Sequence, residues 1–375
     1  TIRAIACIAL VSFHVVGAGP NAGLHVAPDH WLAVLNQTFI DMRMPLFSFI
    51  SGFVFVALAP KQSLFLPVSQ RGTIGRGAGK MLRAKARRLL LPMLVVGALF
   101  WIVRSLMVGP QVPLWQIAVL PYAHYWYLQA TFLLMALVIG AVALVDRPEA
   151  AQALRARRER RVGAVLLALV LAVWIFGPRA GINLFSVNNA LYIGPFFLAG
   201  FLLARLPRAQ MALMGGGGAR RGLGAAVLTL SVLAGFALAR EFVVLDGALR
   251  RAMTVLLGAG ACAGLLLLRP QNGLMARLGR ASYAIYLFHV FFTAAARMAM
   301  EALWPDIAPG LVWPVALCAG LLGPLAVQQA LLLHRWSAWA GLGLRLRARP
   351  SKAALPPAAS VAPPPYTPPH IPAQC

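Results

Sequence analysis

Two ionisable side chains, Arg3 and His14, stand inside the first apolar run of the chain, TIRAIACIALVSFHVV. In a hydrocarbon setting such groups cost about 2.5 to 3.5 kcal/mol each on insertion scales, so their presence points to a function. At about 100° per residue, the interval amounts to three helical turns plus roughly 20°, which puts both on one face about 16 Å apart along the axis. One cavity could then hold a guanidinium that binds an anion and an imidazole that exchanges a proton near neutral pH. The plainer alternative is that Arg3 snorkels to headgroups and His14 hydrogen-bonds a neighbouring helix. A second set lies in GRASYAIYLFHVFFT, where Ser282, Tyr286, His289 and Thr293 recur at helical spacing as one polar stripe. Hydroxyls and imidazoles in lipid need partners, so this stripe must face a bundle interior or water. It serves either as adhesive between helices or as a group of contacts around a reacting centre.

Other residues could assist. Arg83, Lys85, Arg87 and Arg88 stand at the start of the third apolar run, where they could hold phosphates by charge-assisted hydrogen bonds or anchor the chain to anionic lipid. Near the outer end of the second run, Asp41 could orient His14, with an Asp41–Arg43 ion pair as the simpler expectation. Ser51, Ser282 and Tyr286 add hydroxyl donors within these runs. The run His124-Tyr125-Trp126-Tyr127 precedes the fourth apolar stretch, where an aromatic belt is expected at the membrane surface. Asn188, Asn189 and Tyr192 open the sixth run. Cys7, Cys262, Cys318 and Cys375 show no paired spacing for a disulfide framework or a zinc site, and no metal is expected.

The elements that must position these groups follow from composition. Of the 375 residues 60% are hydrophobic and 11% charged, whereas a soluble domain carries roughly 25% charged residues. The chain is expected to be an all-α polytopic membrane protein. Ten apolar runs separated by charged or Pro/Gly breaks predict helices at 2–19, 37–59, 89–109, 126–145, 162–177, 187–204, 222–239, 250–268, 281–303 and 311–333, with a small interfacial piece at 112–121. The net charge of +25 does not imply nucleic acid, because the basic residues fall in short segments between apolar runs. Most of the 34 basic residues gather in 60–88, 146–161, 205–221, 269–280 and beyond 334, which places those segments and both termini in the cytoplasm. Asp29, Asp41, Glu241, Asp246, Glu301 and Asp306 fall at the outer ends. Thr1 is not an initiator methionine and no cleavable signal is visible, so a short cytoplasmic lead is expected before it. Residues 1–340 are expected to form the membrane domain and 341–375 a Pro-rich disordered cytoplasmic tail.

Three motifs in this order resemble the integral-membrane acyltransferase 3 family: Arg3-x10-His14, the second-span stretch Met44-Pro45-Leu46-Phe47-Ser48-Phe49-Ile50-Ser51-Gly52-Phe53, and Ser282-Tyr283-x-Ile285-Tyr286-Leu287-x-His289. The resemblance covers residues 1 to about 340. It implies a ten-helix enzyme of the bacterial inner membrane that takes an acyl group, usually acetyl, from coenzyme A on the cytoplasmic side. The group goes to a hydroxyl, commonly of a cell-envelope or exported carbohydrate, at the other face; Ser51, Ser282 or Tyr286 could then donate to the developing oxyanion, Asp41, Asn188, Asn189 and Tyr192 could bind acceptor hydroxyls, and Trp126 could stack on a sugar. No bound cofactor is implied; acyl-CoA is a co-substrate, membrane lipid and the carbohydrate are the partners, and the oligomeric state is not addressed. The resemblance makes His14 the acid/base group and has Arg3 engage the donor. The family's Arg-x-x-Arg pair before the third span aligns with Lys85 and Arg88, so the first arginine is replaced by lysine. A proton-coupled transporter or flippase of a lipid-linked or sugar substrate is the competing class, since ten helices with a buried His/Arg pair suit it too.

Overall fold

The computed structural model describes residues 1–57, 74–145, 152–205 and 217–346. The basic stretches 60–73 (with Lys61 and Arg71), 146–151 and 206–216, and the Pro-rich tail 347–375 with Cys375, lie outside the described residues. Regular structure among the described residues is all helical. The first half holds α1 (Ile2–Val16), α2 (Trp31–Thr38), α3 (Ile40–Ala57), α4 (Ile74–Val108), α5 (Gln116–Val119), α6 (Trp126–Val145) and α7 (Gln152–Phe176). There follow α8 (Val187–Leu203), α9 (Gly218–Ala239), α10 (Gly247–Leu268), α11 (Gly273–Arg280), α12 (Ser282–Leu303), α13 (Pro309–Leu333) and α14 (Arg335–Leu342). Among the described residues seven helices are long and apolar enough to cross a membrane, or eight if the pair α2 and α3, bent by 41°, counts as one span. With the apolar but short α1 and with α7, arginine-rich in its first half, the helices are compatible with roughly the ten expected.

Several boundaries differ from the sequence expectation. Helix α4 begins at Ile74 rather than near residue 89, so Arg83 to Arg88 lie on the helix itself. Lys, Arg, Ala and Leu are strong helix formers, and a basic stretch outside the bilayer has no reason to unwind. Helix α7 takes in its basic run for the same reason. Helix α1 stops early because Gly17, at φ 97°, adopts a backbone that favours glycine while its N–H still donates to the Phe13 carbonyl at 2.8 Å. The helical body continues past residue 340, since α14 ends at Leu342, which is buried.

The most extensive packing joins α12 to α13, α3 to α8 and α9 to α10. Lipid supplies no hydrophobic drive between helices, so close van der Waals fit must hold them. A Cβ on Gly52 would overlap the Phe197 carbonyl and one on Gly200 would overlap that of Phe49, so the backbones of α3 and α8 touch. Helix α1 packs against α3, α11, α12 and α13. Trp313 of α13 donates to the Ser12 hydroxyl at 3.0 Å, and Asn36 of α2 donates to the Gly17 carbonyl at 2.9 Å. Both bonds hold the end of α1 that carries His14.

Candidate active site

His14 lies in the last turn of α1, and two further imidazoles meet it there. The ring centroids of His289 and His124 are 4.9 and 5.5 Å from that of His14, and 5.0 Å from each other. His289 belongs to the expected polar stripe of α12, and Ser282, Tyr286, His289 and Thr293 are all buried in the bundle. Its Nδ1 lies 2.8 Å from the Ile285 carbonyl and 3.0 Å from that of Tyr286. A carbonyl can only accept, so Nδ1 carries a proton. Neither Nε2 of His289 nor that of His124 has a hydrogen-bond partner. No group of three His, Cys, Asp or Glu among the described residues is placed to hold a metal ion.

His124 corrects the expected surface belt. His124, Tyr125 and Tyr127 are buried, and Trp126 is half-buried with its ring centroid 6.0 Å from that of Tyr127. The stretch Gln116–Val145 behaves as one span, but it is broken between α5 and α6 by residues 120–122 and a 3-10 turn at Ala123–Tyr125. A break in lipid must have its backbone groups satisfied from within. Gln129 does this for α5, donating to the Ile117 and Ala118 carbonyls at 3.2 Å each, while its Oε1 accepts from the Ser186 hydroxyl at 2.5 Å. The Tyr286 hydroxyl donates to the His124 carbonyl, and that of Tyr125 to the Leu287 carbonyl at 3.2 Å. These bonds fix the turn, and with it His124, against α12. Tyr286 therefore has its phenolic proton engaged and does not present it to a substrate.

Near the N-terminal end of the bundle, Thr1, Ile2 and Arg3 line a largely apolar groove of about 390 Å³, closed by α3 residues such as Phe49 and Phe53 and by Arg269. The Tyr127 hydroxyl lies 2.9 Å from that of Ser51. The basic cluster of α4 lies at the same end, with its members in different settings. Arg83 is exposed, and the Lys85 ammonium lies 5.0 Å from the Phe55 ring centroid. Arg88 sits over the Tyr283 ring at 4.2 Å and donates to the Leu342 carbonyl, the last of α14. Tyr283 in turn donates to the Arg88 carbonyl. Arg87 has an enclosed Nε with no partner.

At the opposite end, Val16 and Gly17 line a wider cavity of about 560 Å³ with Asn36, Gln37, Asp41, Glu241 and Arg250. Asp41 pairs with Arg250 of α10 at 2.9 Å and accepts from the Thr254 hydroxyl at 3.2 Å. The expected pair with Arg43 is absent among the described ion pairs, because residues two apart on a helix point to different sides. The Arg43 guanidinium lies instead 3.3 Å from the centroid of the Phe13 ring. Asn188 and Asn189 are engaged by the neighbouring loop: Asn188 bonds both backbone groups of Ala180, and Asn189 accepts from Asn183.

A family model described as an acyltransferase domain matches residues 1–328, from the first residue of this site to most of α13. The chain belongs to the acyltransferase 3 family. It is thus a membrane acyltransferase, which replaces the transporter alternative. No curated protein and no solved structure matches it.

Proposed function

We propose that this acyltransferase moves an acyl group, acetyl in the simplest case, from acyl-coenzyme A at the N-terminal end of the bundle to a carbohydrate hydroxyl that arrives from the opposite end. The observation that carries this is that one short helix, α1, joins two cavities: Arg3 lines the groove, Val16 and Gly17 line the wider cavity, and His14 stands between. Arg3, with Arg83, Lys85 and Arg87, would neutralise donor phosphates, and the enclosed Nε of Arg87 suits an anionic partner. The apolar groove suits the pantetheine arm. At the other end the carboxylates of Asp41 and Glu241, the amides of Asn36 and Gln37 and the Arg250 guanidinium offer the mixed donors and acceptors that sugar hydroxyls need. With the basic segments on the cytoplasmic side of a bacterial inner membrane, the donor comes from the cytoplasm. His14 takes the proton of the attacking hydroxyl as the carbon–oxygen bond forms, and the carbon–sulfur bond breaks with its electron pair on sulfur.

The test uses purified protein in lipid nanodiscs with radiolabelled acetyl-CoA and a mixed preparation of envelope glycans. Label should reach glycan, and His14→Ala should abolish this while acetyl-CoA binding stays intact, because the imidazole acts in the transition state. Near-normal turnover in His14→Gln, which cannot exchange protons in this range, would remove His14 as the base.

A further inference from the structure

Acyl transfer as described uses one histidine, yet the bundle brings three together and leaves two buried ring nitrogens, Nε2 of His124 and Nε2 of His289, without partners. Helix adhesion does not explain them, since adhesion would engage those nitrogens. His289 is the better defined of the two. Its Nδ1–H is held by carbonyls of the preceding turn of its own helix, at 2.8 and 3.0 Å, so α12 alone sets its ring orientation and tautomer. The free Nε2 is then a lone pair on a fully buried ring whose aromatic neighbours are His14 and His124. The nearby phenols do not supply a proton to it, because Tyr286 donates to the His124 carbonyl and Tyr125 to the Leu287 carbonyl.

We propose that His289 is a proton-relay residue that holds the acceptor's proton during acyl transfer, a role that rests on the function proposed above. The His14 and His289 rings lie 4.9 Å apart between centroids with no hydrogen bond yet joining them, so a turn of the His14 ring must first bring its nitrogen to Nε2 of His289; then, as the hydroxyl oxygen attacks the thioester carbonyl, His14 takes the hydroxyl proton on one ring nitrogen and passes the proton of its other nitrogen to that Nε2. The two carbonyls at Nδ1 face the ring while it carries the positive charge. The carbon–sulfur bond breaks, the thiolate departs, and the proton returns through His14 to sulfur. The acceptor has lost a proton and gained the acyl group, the coenzyme leaves as thiol, and all the rings are neutral again. His289 thus gives the hydroxyl proton a place away from the reacting atoms while the thioester breaks.

The same nanodisc assay decides this. His289→Asn keeps an amide N–H where Nδ1–H stands and has nothing at Nε2, so it restores a structural role and not a relay. The expected result is an unchanged thermal midpoint, a KM for acetyl-CoA within about twofold and a kcat lower by about tenfold to a hundredfold. In mixed light and heavy water the wild-type rate should depend on deuterium fraction along a curve, as two protons in flight require, and the Asn variant should give a straight line. A straight line for the wild type would overturn the relay, as would full kcat in His289→Asn. The wild-type inventory needs no variant, so a straight line there overturns the relay even if His289→Asn fails to fold. Wild-type protein that transfers no label at all would overturn the proposed function and the relay with it. Transfer lost in His14→Ala but intact in His289→Asn would overturn the relay alone.

Discussion

Replacing Gln129 by leucine tests whether the break that carries His124 is held as described. Gln129 is almost fully buried, donates to the Ile117 and Ala118 carbonyls at 3.2 Å each, and accepts from the buried Ser186 hydroxyl at 2.5 Å. Leucine fills a similar volume but offers neither donor nor acceptor. The two carbonyls belong to a helix of four residues, so they have no intrahelical donors waiting for them. The two long bonds from one nitrogen count as about one good bond, and a buried group left without a partner costs about 1 to 3 kcal/mol, so the expected loss is about 2 to 4 kcal/mol for both sides of the side chain. Ser186→Ala removes the shorter bond alone and should cost about 1 to 2 kcal/mol. Unfolding of the purified variants in detergent, followed by tryptophan fluorescence, should rank wild type above Ser186→Ala and that above Gln129→Leu. Acyl transfer should fall in Gln129→Leu as the turn at Ala123–Tyr125 loosens. A Gln129→Leu protein as stable and active as wild type would show that the broken span is held by something else.

Three other outcomes follow from the packing. Gly200→Ala should destabilise the protein by about 1 to 3 kcal/mol, since the new Cβ meets the Phe49 carbonyl and the backbone cannot yield, whereas Gly222→Ala, inside a helix with open space around it, should stabilise by about 0.5 to 1 kcal/mol. Equal midpoints for the two in the same unfolding assay would contradict backbone contact between α3 and α8. Arg88→Ala should speed amide hydrogen exchange over residues 335–342, because it removes the guanidinium from the last carbonyl of α14; unchanged protection would assign the docking of α14 to its apolar side chains. Cysteines at the exposed positions Gly181 and Gly79 should react oppositely with an impermeant thiol reagent in spheroplasts, Gly181→Cys labelled and Gly79→Cys not, and the reverse pattern would invert the proposed orientation.

Arg3 and His14 were legible because a charged and an imidazole side chain in an apolar run are costly, and their interval puts them on one face. The stripe from Ser282 to Thr293 was legible from periodicity, and its burial follows from the same rule. His124 was not, because aromatic residues beside the start of a span look like a membrane belt. A signal was present: no Asp, Glu, Lys or Arg occurs between Arg104 and Asp146, a stretch too long for one turn and one span of about 20 residues, so the surplus had to fold into the membrane. The expected Asp41–Arg43 pair ignored helix geometry, and the true partner Arg250 is too distant in the chain for spacing to reveal. The contact of Gly52 with Phe197 is likewise a property of two helices meeting, which neither helix shows by itself.

Vectorial transfer through His14 can be measured directly in proteoliposomes, with radiolabelled acetyl-CoA added outside alone and the glycan mixture sealed inside. Molecules whose N-terminal end faces outward then have donor at Arg3 and acceptor at the cavity lined by Val16 and Gly17. Labelled glycan should accumulate inside with wild-type protein and be absent with His14→Ala reconstituted at the same density. Label that appears when donor and glycan share a compartment and never when the bilayer separates them, or that accumulates equally with His14→Ala, would contradict acyl transfer across the membrane at His14.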